Sequence, residues 1–180
     1  SEIPYDCRVL YQSKFNPEKL YVGYVNGLAL LEYKNGHWVD KEKQYDFTDL
    51  VRSIVEDSEG NMWLSTELNG VIQITKNQKV IRYGTEEGLP DLNETKVYSF
   101  NNKIICSTKS GIYYFNEKNQ NFEKYDGFGE KYYLSNEEVR FINKVSENEV
   151  WIVSVDSKTE IEYIERLRIS QDRIISITNV

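Results

Sequence analysis

One interval constrains this chain more than any other feature. Placing LYVGYVNGLALLEY (20–33), MWLSTELNGVIQIT (62–75) and IICSTKSGIYYFN (104–116) in register makes Tyr21, Trp63 and Ile105 recur every 42 residues. Gly27, Gly70 and Gly111 follow in the same register, 43 and 41 residues apart. A fourth, degenerate copy, EVWIVSVDSKTEIEYIERL, brings Trp151 46 residues after Ile105 and lacks the turn glycine. Recurrence at this period means that one supersecondary unit is reused, each copy too small to cover its own apolar faces and stabilised by stacking on its neighbours.

Each copy reads as four short strands. In the second, the β-branched and aromatic runs 51–55, 62–66, 71–75 and 79–83 are separated by EDSEG, by Asn69-Gly70 and by KNQ. Turn residues at those breaks, and Asn or Gly where a tight hairpin requires positive φ, predict an antiparallel meander. Gly88 and Pro90 in YGTEEGLPDLNET (83–95) exclude a continuing strand and mark that stretch as the linker to the next copy. Repeated four-stranded meanders of about 40 to 45 residues are the signature of propeller blades. The sequence therefore predicts an all-β fold, a β-propeller fragment of about four blades near 6–40, 48–84, 95–126 and 137–178, with 1–180 forming one segment. Tyr21 and Trp63 are expected in the layers between blades. The competing architecture, a continuous β-sandwich, does not account for the recurrence.

Charge and composition exclude several function classes. The net charge of −7 and pI near 4.9 oppose binding to nucleic-acid backbones or to anionic bilayer surfaces. No apolar run approaches the roughly 20 residues of a membrane span. Cys7 and Cys106 lack CxxC spacing, and Cys106, in the apolar run KIICST, reads as a buried small hydrophobe. The single histidine, His37, lies in the polar stretch KNGHW with no partner at metal-ligand spacing, which predicts an exposed turn residue and no metal site. EDSEG lacks the alternating oxygen ligands of a calcium loop. It also departs from the Asp-box of sialidase-like propellers, since Asp57 stands three residues before Gly60 and Met62 occupies the Thr position. The pairs Glu86-Glu87 and Glu137-Glu138 read as solvated loop charge rather than glycosidase carboxylates. The expectation is a chain without catalysis and without a cofactor.

The second copy also carries a family resemblance. IVEDSEGNMWLSTELNGVIQI followed by VIRYGTEEGLP resembles the regulator-propeller repeat of Bacteroides-type hybrid two-component sensor histidine kinases. The matching positions are Glu56, Asp57, Gly60, Trp63, Thr66, Asn69 and Gly70, with Glu87–Pro90 supporting them. In the third copy Ser107, Thr108, Ser110 and Gly111 keep the pattern, while the first and fourth match by spacing, with Gly27 in register.

This resemblance implies a periplasmic ligand-sensing segment that responds to carbohydrate breakdown products. It further implies a parent protein, longer than this chain, that is anchored in the inner membrane and carries the remaining blades and a kinase. An oligosaccharide is then the expected ligand. Trp38, Tyr83, Tyr132 and Tyr133, expected in loops, are the candidates for stacking on sugar rings, with inter-blade packing as their other possible role. A protein-interaction scaffold, and behind it a carbohydrate-active propeller enzyme, are the alternatives. A fragment cut from a longer array is expected to expose apolar terminal faces and to self-associate.

Overall fold

The computed structural model describes residues 6–41, 45, 47–134, 137–170 and 173–179, and among these the fold is a four-bladed β-propeller segment. Blade 1 contains β1 (Cys7–Gln12), β2 (Lys19–Tyr24), β3 (Gly27–Lys34) and β4 (His37–Asp40). Blade 2 contains β5 (Val51–Glu56), β6 (Met62–Thr66), β7 (Val71–Ile74) and β8 (Val80–Tyr83). Blade 3 follows with β9 (Lys96–Phe100), β10 (Lys103–Thr108), β11 (Gly111–Asn116) and β12 (Asn121–Lys124). A short helix, α1 (Glu130–Leu134), precedes blade 4, built from β13 (Glu138–Ser146), β14 (Glu149–Val155), β15 (Glu162–Ser170) and β16 (Arg173–Asn179). Every sheet is an antiparallel meander in chain order. The first strands pack beside one another, β5 against both β1 and β9, which puts them at the inner side of the array.

The 42-residue series has a structural meaning, because each of its members points at the following blade. Tyr21 packs on the layer between blades 1 and 2, with Leu28, Ile54, Leu64 and Ile72. Trp63 lies between blades 2 and 3 with Tyr83, Phe115 and Phe122. Ile105 lies between blades 3 and 4 with Val150, Ile152 and Leu167. Trp151, the next member, is half-buried on the face of blade 4 turned away from blade 3. The cross-strand pairs Val153–Ile164 and Trp151–Arg166 place Val153, Ile164 and Arg166 on that same face, whereas the Phe141 ring lies against blade 3, 6.5 Å from that of Tyr98. Ile164 is 41% exposed there, and Arg166 pairs with Glu149 at 2.6 Å.

The acidic turn of blade 2 explains its residue types. Asp57 Oδ1 accepts the backbone N–H groups of Glu59 and Asn61, at 3.0 and 2.8 Å. Asp57 Oδ2 accepts from Asn61 Nδ2 and from the indole Nε1 of Trp63, both at 2.9 Å. One carboxylate thus closes the turn and fixes the rotation of the ring that fills the next layer. Its neighbour Glu56, 5% exposed, ties blade 2 to blade 1. Its carboxylate accepts from Ser13 Oγ and from the Lys14 N–H, both at 2.8 Å.

The second hairpins of blades 2 and 3 are built alike. Thr66 Oγ1 donates to Gly70 O at 3.0 Å and accepts from Asn69 N, while Thr108 Oγ1 donates to Gly111 O at 2.9 Å and accepts from Ser110 N. In the EGLP linker Gly88 has φ +88°, and a Cβ there would stand 2.2 Å from the Phe122 carbonyl oxygen. The linker also bonds β12 directly, Phe122 N–H donating to Glu87 O at 2.7 Å. Only glycine allows that approach.

Candidate functional site

Chain direction puts three kinds of segment at one end of the blades: the starts of the first strands, the hairpins between second and third strands, and the linkers between blades. At that end, between blades 2, 3 and 4, lies a cavity of about 360 Å³. Its wall carries the cations Arg52, Lys96, Lys109 and Arg140, the carboxylates Glu94 and Glu138, and the hydroxyls of Thr95 and Thr108. A groove of about 580 Å³ continues from it along blade 4, sharing Lys109, Glu138 and Arg140 and adding Asp156, Ser157 and Glu160. Volumes of about 300–1,000 Å³ are typical of small-ligand sites.

Local geometry explains why these side chains meet here. Arg52, Lys96 and Arg140 lie near the start of the inner strands β5, β9 and β13, with Arg8 near the start of β1; Lys96 is a ladder residue paired with Ser107, the place that Val9, Ser53 and Phe141 take in the other blades. The strand register slips at Arg8, Arg52 and Arg140, between Cys7 and Val9, Val51 and Ser53, and Val139 and Phe141. A bulge removes its residue from the ladder and re-aims the side chain.

Electrostatically the cations are unequal. Arg52 pairs with Glu67 on the neighbouring hairpin, and its guanidinium holds the Glu67 carboxyl below the usual carboxylate range. Arg140 pairs with Glu138 at 2.9 Å and Glu162 at 3.1 Å, and Lys109 with Glu94 at 3.4 Å. Lys96 differs: its ammonium donates to the Arg140 carbonyl oxygen at 2.9 Å and lies 5.9 Å from the Phe141 ring centre. No carboxylate stands within ion-pair distance of it among the described residues. Thr95 is wholly buried at the wall, and its hydroxyl makes no hydrogen bond there. On the groove side, the Thr159 and Lys158 N–H groups hold the Asp156 carboxyl below its ordinary value, so it remains an acceptor.

The aromatic residues singled out in the sequence do not assemble. Expected in loops, Trp38 instead lies in β4, Tyr83 in β8, and Tyr132 and Tyr133 in α1. Tyr83 and Tyr132 are 3% and 1% exposed, which withdraws their ring faces from any sugar. Tyr83 stacks on Trp63 at 5.4 Å, and the Tyr132 hydroxyl is bonded to Glu165. Trp38 packs beside Tyr33 on the outer part of blade 1, and Tyr133 keeps 39% exposure. His37, expected in a turn, is the first residue of β4 and is exposed. Cys106 is buried, and burial pushes its thiol well above the ordinary range. Among the described residues no group of His, Cys, Asp or Glu has the geometry to hold a metal ion, and no helix is long and apolar enough to cross a membrane. The motif residues Glu56, Asp57, Gly60, Trp63, Thr66, Asn69 and Gly70 shape the turns and layers of blade 2. The inner cations carry no motif of their own in the sequence, and only the strand register shows which of them leave the ladder.

Residues 47–67 match the family model described as two component regulator propeller. No curated protein sequence matches the chain. Among solved structures, the extracellular domain assigned to the hybrid two component system BT4673 from B. thetaiotaomicron superposes with a TM-score of 0.66 at 22% identity, over 93% of this chain and 21% of that one. The corresponding domain assigned to BT3049 from the same organism gives a TM-score of 0.61 at 19% identity, over 92% and 24%. Virginiamycin B lyase from Staphylococcus aureus gives 0.60 at 16%, over 95% and 54%. The chain thus spans between a fifth and a quarter of the length of the two Bacteroides domains, and at these identities the likeness is one of fold. Residues 47–67 are a two-component regulator propeller repeat, carried on the second blade of a β-propeller.

Proposed function

We propose that this chain is a ligand-sensing segment of the extracytoplasmic region of a hybrid two-component sensor, periplasmic in a parent anchored in the inner membrane, and responding to carbohydrate breakdown products. The observation that carries this reading is the regulator-propeller repeat at residues 47–67, set in a blade whose inner end borders the cavity lined by Arg52, Lys96 and Arg140. The structural likeness to extracellular domains of two-component systems points the same way. In this reading the segment binds and does not catalyse, and the lyase neighbour reflects a fold that hosts many chemistries. Binding energy spread across the loops of several blades would alter the angles between them, and that change is what a sensor transmits.

The test is a thermal-unfolding screen of the purified chain against neutral and acidic oligosaccharides, followed by calorimetric titration of those that raise the midpoint. A saturable shift with at least one glycan is expected, since a ligand that binds only the folded state stabilises it by mass action. Absence of any shift across the panel refutes the sensing role for this segment.

A further inference from the structure

We infer that the inner cavity recognises the anionic group, a carboxylate or a sulfate, of an acidic oligosaccharide. This inference rests on the ligand-sensing reading and names the chemistry of that ligand. The chain as a whole is acidic, with 22 Lys and Arg against 29 Asp and Glu, yet an arginine is the residue skipped by the ladder near the start of the inner strand in blades 1, 2 and 4, Arg8, Arg52 and Arg140. At such a slip the backbone departs from the ladder and turns the side chain elsewhere. Blade 3 has no slip there, and Lys96 is its first ladder residue, paired with Ser107. The cavity wall gathers four cations against two carboxylates, and with Glu67 and Glu162, which pair with Arg52 and Arg140 from beyond the wall, the charges there balance, so the excess negative charge of the chain is not carried into the cavity.

One further feature points to a ligand rather than to a closed network of ion pairs. Lys96 meets a backbone carbonyl and an aromatic ring instead of a carboxylate, leaving two of its three N–H donors to be satisfied. A carboxylate or sulfate oxygen in the cavity would accept from the Lys96 ammonium. The groove toward blade 4 then offers Asp156, Ser157 and Glu160 to sugar hydroxyls, which donate well to carboxylates. The anion would seat between blades 3 and 4, and the neutral rings would extend along the groove.

The experiment is calorimetric titration of the purified chain with a uronate-containing oligosaccharide, a sulfated one, a neutral one of equal length, and inorganic sulfate. It is repeated on Lys96→Gln and on Lys109→Gln, whose exposed side chain makes loss of folding a minor concern, with His37→Ala as the remote control. Circular dichroism checks that each variant is folded. One or both acidic glycans should bind, with affinity falling about tenfold on Lys96→Gln and severalfold on Lys109→Gln, and weakening as salt rises. The neutral glycan and sulfate alone should bind far more weakly. Comparing the uronate with the sulfated glycan identifies the source of the charge. Equal binding of the neutral glycan, unchanged in both lysine variants, would refute the anionic-ligand inference while leaving the sensing function intact. Binding of sulfate as tight as that of the sugars would reduce the cavity to an adventitious anion site. No binding of any glycan would overturn both.

Discussion

Replacing Trp63 by alanine should unsettle the layer between blades 2 and 3 more than a change at any exposed position. The side chain is 2% exposed. It stacks on Tyr83 at 5.4 Å with an interplanar angle of 23° and meets Phe115 at 4.7 Å. Removing a buried Trp costs about 3–5 kcal/mol, combining lost transfer energy with the cavity left behind. The aromatic contacts contribute at the upper end of that range, at about 0.5–1.5 kcal/mol for each well-formed pair. Loss of the indole bond adds less, because Asp57 keeps its three other donors. We therefore expect about 4 kcal/mol for Trp63→Ala, whereas His37→Ala, at an exposed strand end, should stay within about 0.5 kcal/mol. Urea unfolding followed by circular dichroism measures both, and the thermal midpoint should drop by roughly 10 °C for Trp63→Ala alone. Trp63→Phe should recover more than half of the loss, since it keeps a ring between Tyr83 and Phe115. Equal midpoints for Trp63→Ala and His37→Ala would refute the assignment of the 42-residue series to the inter-blade layers.

Two other outcomes follow from the same packing. Burial, reinforced by the Glu56 carboxylate, pushes the Tyr11 hydroxyl up to about 12, and burial also raises Tyr45, Tyr98 and Tyr132. The folded chain therefore holds protons that the unfolded chain releases near pH 10, so this contribution is complete below about pH 10 and is lost as pH rises through 12. Phenolate absorbance should lag the usual tyrosine titration and then rise together with loss of the β-sheet signal, and ionisation of all 14 tyrosines near pH 10 with the fold intact would contradict it. The face of blade 4 turned away from blade 3, with Trp151, Val153 and Ile164, is the surface through which we expect the isolated chain to self-associate. A sedimentation mass that stays at 21.2 kDa as concentration rises through the micromolar range would reject that.

Fold class was legible because its signals are local. Asn69-Gly70, the Asp57–Gly60 turn and the 42-residue interval are each governed by chemistry within a few residues or by exact reuse of one unit. The functions of Asp57 and Thr66 as turn-closing groups also follow from short spacings. By contrast, nothing near Tyr83 or Tyr132 in sequence distinguishes a ring stacked under Trp63 or bonded to Glu165 from one exposed to solvent, and assigning them to loops left both possibilities open. Burial depends on what a neighbouring blade brings to the layer, and that is set by residues about 40 positions away. The cavity shows the same division. Arg8, Arg52, Lys96 and Arg140 can be read from the sequence, but only the ladder decides that the three arginines stand at bulges and Lys96 does not, and only the stacking of blades brings Arg52, Lys96 and Arg140 to one cavity. It also decides which of those cations is paired with a carboxylate and which, at Lys96, is not.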